Sequence, residues 1–347
     1  MKILCDVCHP AHVHFFKNAI SQFKTLGHEV LITARNKDCT LNLLNFFKLD
    51  HTVLTSSRLT LPLVRLGCEL VLRNKALLTV VREWKPDIMI GVGGIFIAHI
   101  RTITRIPAII FYDGDNALLQ NILTYPFASK IYVPDAYQGW TLSYKTIRYA
   151  GFHELAYLHP KYFLPSKICA IQNGLHPEKP TIMIRLVAWK ASHDFGHKGL
   201  DREHLLKWIE NNSAHYHFLV CAESNVPERL KPYVFRSHPA HLHHVLAYCH
   251  GFLGESPTMA MEAAIMGVPA LYVSTIQCGN VTRLQGDFQL IQCFNPPVFS
   301  FDYALPFFER YAKCFWMQRR ADLLHATVDV TQLILNSIFD SEYAPLL

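Results

Sequence analysis

Several features are missing from this 347-residue sequence, and each absence removes a class of function. There is no uninterrupted apolar run near the roughly 20 residues a membrane-spanning helix requires. There is no Lys/Arg run and no interleaving of basic and aromatic residues, so nucleic acid is not an expected partner. The P-loop pattern and the full GxGxxG spacing are both absent, which removes the usual phosphate and dinucleotide signatures. Charged residues make up only 17% of the chain against 50% hydrophobic, a balance that excludes a disordered or fibrous protein. No internal repeat is visible.

What is present points to a large globular chain with room for two domains. A formal charge of +6, with twenty further histidines, suits a small anionic substrate or a weak attraction to anionic lipid. The ten cysteines are scattered, and Cys5-x-x-Cys8 is the one pair with metal or redox spacing. A second CxxC is lacking and alternate strand positions face opposite ways, so no metal site is expected. Met1-Lys-Ile-Leu-Cys-Asp-Val7 reads as a strand from the first residue, with no signal peptide ahead of it. The thiols are therefore expected to be reduced, in a cytoplasmic protein.

Short apolar strands alternate with amphipathic helices, which argues for parallel sheets covered on both faces. Strands are expected at 2–7, 28–33, 52–54, 87–92, 108–112 and 130–133. The intervening helices fall at 12–27, 61–84, 96–104 and 117–127. Prolines and a glycine crowd residues 160–180, and the alternation then restarts at 181–186, 201–211, 217–221, 241–249 and 251–273. The expected organisation is an N-terminal Rossmann-like domain (1–160), a linker (161–180), a second Rossmann-like domain (181–325) and a C-terminal helix (326–347) crossing back to the first. The fold class is α/β, two doubly wound parallel sheets with an interdomain cleft. Ligands in such folds sit at the carboxyl ends of strands.

The richest stretch for chemistry is 251–273: strand, tight turn, helix opened by Pro257, helix stop at Gly267, second buried strand. The turn Glu255-Ser256-Pro257-Thr258 offers backbone N–H groups and two hydroxyls at a helix N-terminus, where a phosphate is favoured. Glu262, on the second turn, is placed to accept hydrogen bonds from a ribose. The loop 185–199 carries Arg185, Lys190 and Lys198 beside Ser192 and His193, a set suited to a diphosphate. After the first strand, His9-Pro-Ala-His12-Val-His14 enters a helix at the sheet's carboxyl edge. An imidazole there has the right proton affinity for a general base, while packing or capping would explain the same residues. Asp113 and Asp115 end another strand. Asp113 is the better catalytic candidate, and Asp115 serves equally well as a helix cap.

Three segments have plainer readings. The glycines of Gly91-Val-Gly-Gly94 suit either ligand approach or close helix–strand packing. His238, His241, His243 and His244 lack the spacing of a zinc site. Residues 61–84 carry Arg65, Arg73, Lys75 and Arg82 among apolar residues. That helix is either a sheet cover with a basic outer face or a surface able to rest peripherally on the inner face of a membrane.

Four segments resemble those of the domain-of-unknown-function family numbered 354, within the GT-B superfamily of nucleotide-sugar glycosyltransferases and UDP-N-acetylglucosamine 2-epimerases. They are His9-Pro-Ala-His-Val-His-Phe-Phe16, Gly151-Phe-His-Glu-Leu-Ala-Tyr-Leu158, Arg185-Leu-Val-Ala-Trp-Lys-Ala-Ser-His-Asp194 and Glu255-Ser-Pro-Thr-Met-Ala-Met-Glu-Ala-Ala264. The resemblance implies two Rossmann-like domains with the nucleotide held mainly by the second. It puts His12 on a loop histidine proposed as the acceptor's base. It puts Ser256, Thr258 and Glu262 on phosphate- and ribose-contacting positions, His193 in a diphosphate-contacting loop, and Asp113 near an epimerase carboxylate. Two departures stand out: Gly93-Gly94 where the epimerases carry an aspartate, and Pro257 where a glycine usually follows the serine. The resulting expectation is transfer of a sugar from a UDP-sugar donor to a saccharide or lipid-linked acceptor, in surface-polysaccharide or glycolipid synthesis. The alternatives are a UDP-N-acetylhexosamine 2-epimerase or hydrolase, or an inactive nucleotide-sugar-binding protein. No cofactor is expected, the UDP-sugar being substrate.

Overall fold

A computed structural model describes residues 1–54, 62–187, 199–222 and 226–339, the side chains of 62–69 excepted. It forms two compact units, one of Met1–Tyr157 with Val328–Leu347, the other of Leu158–Thr327.

Unit 1 is built on a parallel sheet of seven described strands: β1 (Lys2–Val7), β2 (Glu29–Ala34), β3 (His51–Val53), β4 (Ile88–Val92), β5 (Ala108–Phe111), β6 (Lys130–Pro134) and β7 (Thr146–Tyr149). Their order is β3-β2-β1-β4-β5-β6-β7, so the direction of winding reverses between β1 and β4. The central strands are unbroken apolar runs because both faces are covered: every residue of β5 is buried. Helix Pro10–Thr25 starts with proline at its first turn and with His9 as its cap, whose ring accepts from Ala11 N–H. Its partners include helix Val330–Ser337, where Thr331 Oγ1 donates to Ala156 O at 2.8 Å.

Helix Pro62–Trp84 departs from expectation. Arg73 is fully buried, not on an outer basic face. Its Nη2 lies 2.5 Å from Asp6 Oδ1 on β1, and Nη1 donates to the carbonyls of Ala34 and Leu54. Thr33 Oγ1 also donates to Asp6, at 2.8 Å. The guanidinium thus ties the carboxyl ends of β1, β2 and β3 to the helix, and a partner for this charge is what permits its burial. Among the described residues, no helix is long and apolar enough to cross a membrane.

Unit 2 has five described parallel strands: β8 (Thr181–Leu186), β9 (His217–Ala222), β10 (Gly251–Gly254), β11 (Ala270–Val273) and β12 (Ile291–Phe294), ordered β12-β11-β10-β8-β9. An isolated parallel bridge joins Val220 on β9 to Val234, and Phe235 N–H donates to Val220 O. Counting that rudimentary strand, unit 2 repeats the order of unit 1, with its reversal between β8 and β10. Residues 161–180 are not bare linker: they include helix Lys167–Gln172, capped by Ser166 and packed on Leu242–Leu246.

The glycines after β4 answer to packing. A Cβ on Gly94 would stand 2.1 Å from Ile110 Cδ1, and one on Gly93 would stand 2.4 Å from the Gln120 amide. Both glycines have positive φ, and Gly94 caps helix Ile95–Thr104 in the left-handed region.

Candidate functional site

In unit 2 the reversal point brings together Arg185, near the end of β8, and the turn after β10. Gly254 and Arg185 are register partners, and a Cβ at Gly254 would meet Arg185 Cβ at 2.8 Å. Helix Pro257–Ile265 follows, with Ser256 as its cap: Oγ accepts from Met259 N–H at 3.4 Å. From Met259 to Ile265 every residue is buried, whereas Ser256, Pro257 and Thr258 are partly exposed. The helix therefore meets solvent only at its N-terminal turn. Pro257 has no N–H and Met259 N–H is already taken, so Thr258 supplies the available helical N–H beside the two hydroxyls.

Glu262 is 5% exposed and its Oε1 stands 2.9 Å from His243 Nε2. Arg185 and Glu262 both act on the buried Cys221 thiol, so they share one neighbourhood beneath the sheet edge. Burial pushes that thiol up to about 12, which makes it inert at neutral pH. Lys190, Ser192, His193 and Lys198 lie outside the described residues.

Glu255 was not singled out from the sequence, yet it organises this edge. It is 1% exposed and accepts from Val187 N–H (2.6 Å) and Leu200 N–H (2.7 Å). Arg202 grips both its oxygens, at 2.6 and 3.0 Å. One carboxylate thus ties Val187 to Leu200, on either side of the residues 188–198 that carry four of the expected diphosphate ligands. The only sequence signal was an acidic residue at a strand end beside a predicted helix start.

The histidines at 238–244 are each engaged separately. His238 accepts from Ala240 N–H, His244 from Ser166 N–H, and His241 lies 3.4 Å from Cys169 Sγ. Among the described residues there is no group of three ligands suited to a metal.

In unit 1 the corresponding edge carries His12, Asp113 and His153. His12 is partly buried and accepts at Nδ1 from Cys8 N–H, at 3.2 Å. Burial, then the nearby His9, His153 and Lys37, hold its protonation well below the usual imidazole range. Asp113 leaves the end of β5 with its side chain 28% exposed, one oxygen 3.5 Å from His153 Nδ1. His153 is 6% exposed, its ring tilted against Phe15 at 4.5 Å, and burial lowers its proton affinity despite Asp113. His153 belongs to the Gly151–Leu158 segment; nothing in the residue pattern alone marked it. His14 packs elsewhere, 8% exposed between the rings of Phe47 and Tyr157. Asp115 does not cap the next helix, whose cap is Ala117; its Oδ1 accepts from Gln138 N–H instead.

Two parallel α/β units with the same strand order define the GT-B fold, and solved structures bear this out. The UDP-GlcNAc 2-epimerase from Neisseria meningitidis, bound to UDP-GlcNAc, matches with a TM-score of 0.71 at 13% identity, over 98% of this chain and 100% of its own. The calicheamicin glycosyltransferase CalG4 matches with a TM-score of 0.62 at 13% identity, over 99% of both chains. At such identities the likeness shows the fold alone. Within that class the chain belongs to the DUF354 family, described as a protein of unknown function, whose model matches residues 1–292. The uncharacterized protein MJ0665 of Methanocaldococcus jannaschii is 24% identical over 306 residues, covering 84% of this chain and 86% of that protein.

Proposed function

We propose that this protein is a glycosyltransferase that takes a sugar from a UDP-sugar and passes it to a saccharide or lipid-linked acceptor. The observation that carries the reading is the helix Pro257–Ile265, closed off everywhere except a first turn that offers an N–H, two hydroxyls and a dipole. Arg185 stands on the neighbouring strand at the same edge. Ser256, Thr258 and Arg185 would hold the diphosphate, with Lys190, Ser192 and His193 supplied by the segment that Glu255 fastens. Glu262 would reach the ribose, steadied by His243. Fixed donors and cations aimed at the departing diphosphate stabilise its growing charge, so the scheme calls for neither cofactor nor metal. His12 and Asp113 are the groups assigned to the acceptor, His14 being buried between Phe47 and Tyr157.

Saturation-transfer NMR or calorimetry with UDP and a panel of UDP-sugars tests this directly. Binding of UDP and at least one sugar is expected; no detectable binding to any of them overturns the proposal. A second reading, 2-epimerisation, is favoured by the carboxylate–imidazole contact of Asp113 and His153. Turnover in deuterated water separates the two, because only epimerisation places deuterium on the sugar's second carbon.

A further inference from the structure

We infer that the proton of the reaction is taken by Asp113, held in place by the buried His153, and that His12 acts through Nε2–H as a hydrogen-bond donor. This assigns roles within the transfer reading above and rests on it.

The argument starts from the tautomer of His12. A neutral imidazole has one lone pair and one N–H. The lone pair on Nδ1 is occupied by Cys8 N–H, so the proton sits on Nε2, which has no partner among the described residues. A ring in that state can donate to a substrate oxygen but has no vacant nitrogen to take a proton. The titratable groups around it are His9 on its own loop, Lys37 after β2 and His153 after β7. None is a carboxylate that would favour the cationic ring, so the ring stays neutral at physiological pH.

Asp113 differs in every respect. Its side chain is 28% exposed against 8% for His153, with one oxygen near His153 and the other without a partner among the described residues. His153 cannot touch a substrate itself: its Nε2 is sealed from solvent and has no hydrogen-bond partner among the described residues. A sealed, unsatisfied ring nitrogen is a cost that an apolar side chain would avoid. Its Nδ1, facing Asp113, is the atom with a use. His153 is accordingly a positioning residue, with Nδ1–H directed at one Asp113 oxygen and the second oxygen aimed outward. The other ionisable groups around this pair are Tyr112 and Asp115 on the same loop, Asp135 after β6, and Tyr149 and Glu154 flanking the turn after β7. In the transfer step the acceptor O–H proton moves to that outward oxygen. The acceptor oxygen's electron pair forms the bond to the anomeric carbon, and the anomeric C–O bond breaks with its pair leaving on the diphosphate.

Two measurements on the full-length protein decide the matter. Long-range 1H–15N correlation spectra, with His12 assigned by its loss in His12→Gln, should show a neutral ring protonated on Nε2 from pH 6 to 8. A proton on Nδ1, or a charged ring at pH 7, overturns the donor role. UDP release from a UDP-sugar panel, with simple alcohols and saccharides as acceptors, should fall about 10²–10⁴-fold in kcat for Asp113→Asn at nearly unchanged KM. His12→Gln, which keeps an amide N–H near Nε2, should retain more activity than His12→Ala. His153→Asn, which keeps one near Nδ1, should exceed His153→Gln. Full activity in Asp113→Asn, or equal loss in the paired Asn and Gln variants, overturns the assignment. Wild-type protein that turns over no UDP-sugar defeats the transfer reading instead, and the tautomer spectra still judge His12.

Discussion

The two units place a buried carboxylate and an arginine at the same point, the carboxyl edge of the sheet where the winding reverses, and use the pair differently. In unit 1, Asp6 and Arg73 are both sealed, with side-chain exposures of 1% and 0%. They lock three strand ends to a helix. In unit 2, Glu255 is sealed but Arg202 remains 30% exposed, and the carboxylate spends its other lone pairs on the backbone at residues 187 and 200. The first pair is scaffolding. The second sets the ends of a segment whose residues are the expected ligands. The same chemistry therefore locks strand ends to a helix in one unit and ties residues 187, 200 and 202 together in the other.

That contrast can be broken by mutation. Arg73→Met leaves Asp6 charged and buried without a counterion, and should cost about 3–5 kcal/mol in denaturant unfolding. The double variant Asp6→Val with Arg73→Met should lose less than the sum of the two single losses, since a missing pair is cheaper than a stranded charge. Glu255→Gln keeps the shape but weakens four hydrogen bonds, and should cost about 1–3 kcal/mol. Its distinguishing signature is weaker UDP binding, read by calorimetry, which Arg73→Met at temperatures where it remains folded should not show. If both variants weaken UDP binding equally, the division of labour between the pairs is wrong.

Ser256→Ala removes the cap of helix Pro257–Ile265, and about 1 kcal/mol of stability should go with it. The smallest effect concerns acid. His12 and His153 both have proton affinities lowered by burial, so below their ordinary pKa near 6.5 the unfolded chain binds more protons than the folded one. Their contribution to stability is intact above pH 6.5 and is lost as pH falls through 6.5 and below. Thermal melts between pH 7.5 and 5 should show this loss, and it should shrink in His12→Gln.

Much of the architecture was legible because its cause is local. The central strands are continuous apolar runs, and the helices between them start and stop at proline and glycine. Strands β7 and β12 were missed: Thr146-Ile-Arg-Tyr149 and Ile291-Gln-Cys-Phe294 are short, partly polar edge strands whose pairing is set by a neighbour, not by their own sequence. The site divides the same way. Ser256 as a cap could be read from its position before Pro257, a local signal. Glu255, Arg73 and His153 could not, since each is defined by a partner 53, 67 or 40 residues distant in sequence. A polar residue destined for burial has the same spelling as one destined for solvent until its partner is known.

One consequence follows from the walled-in helix Pro257–Ile265. Its flanks are strands β10 and β11 and its outer turns have no room to shift, so the direction of its axis is settled when unit 2 folds. A ligand arriving at Thr258 meets a field already oriented and needs little rearrangement to use it. Under the proposed function, such a receptor would give up little entropy on capture, and discrimination among sugars would have to come from residues other than this turn.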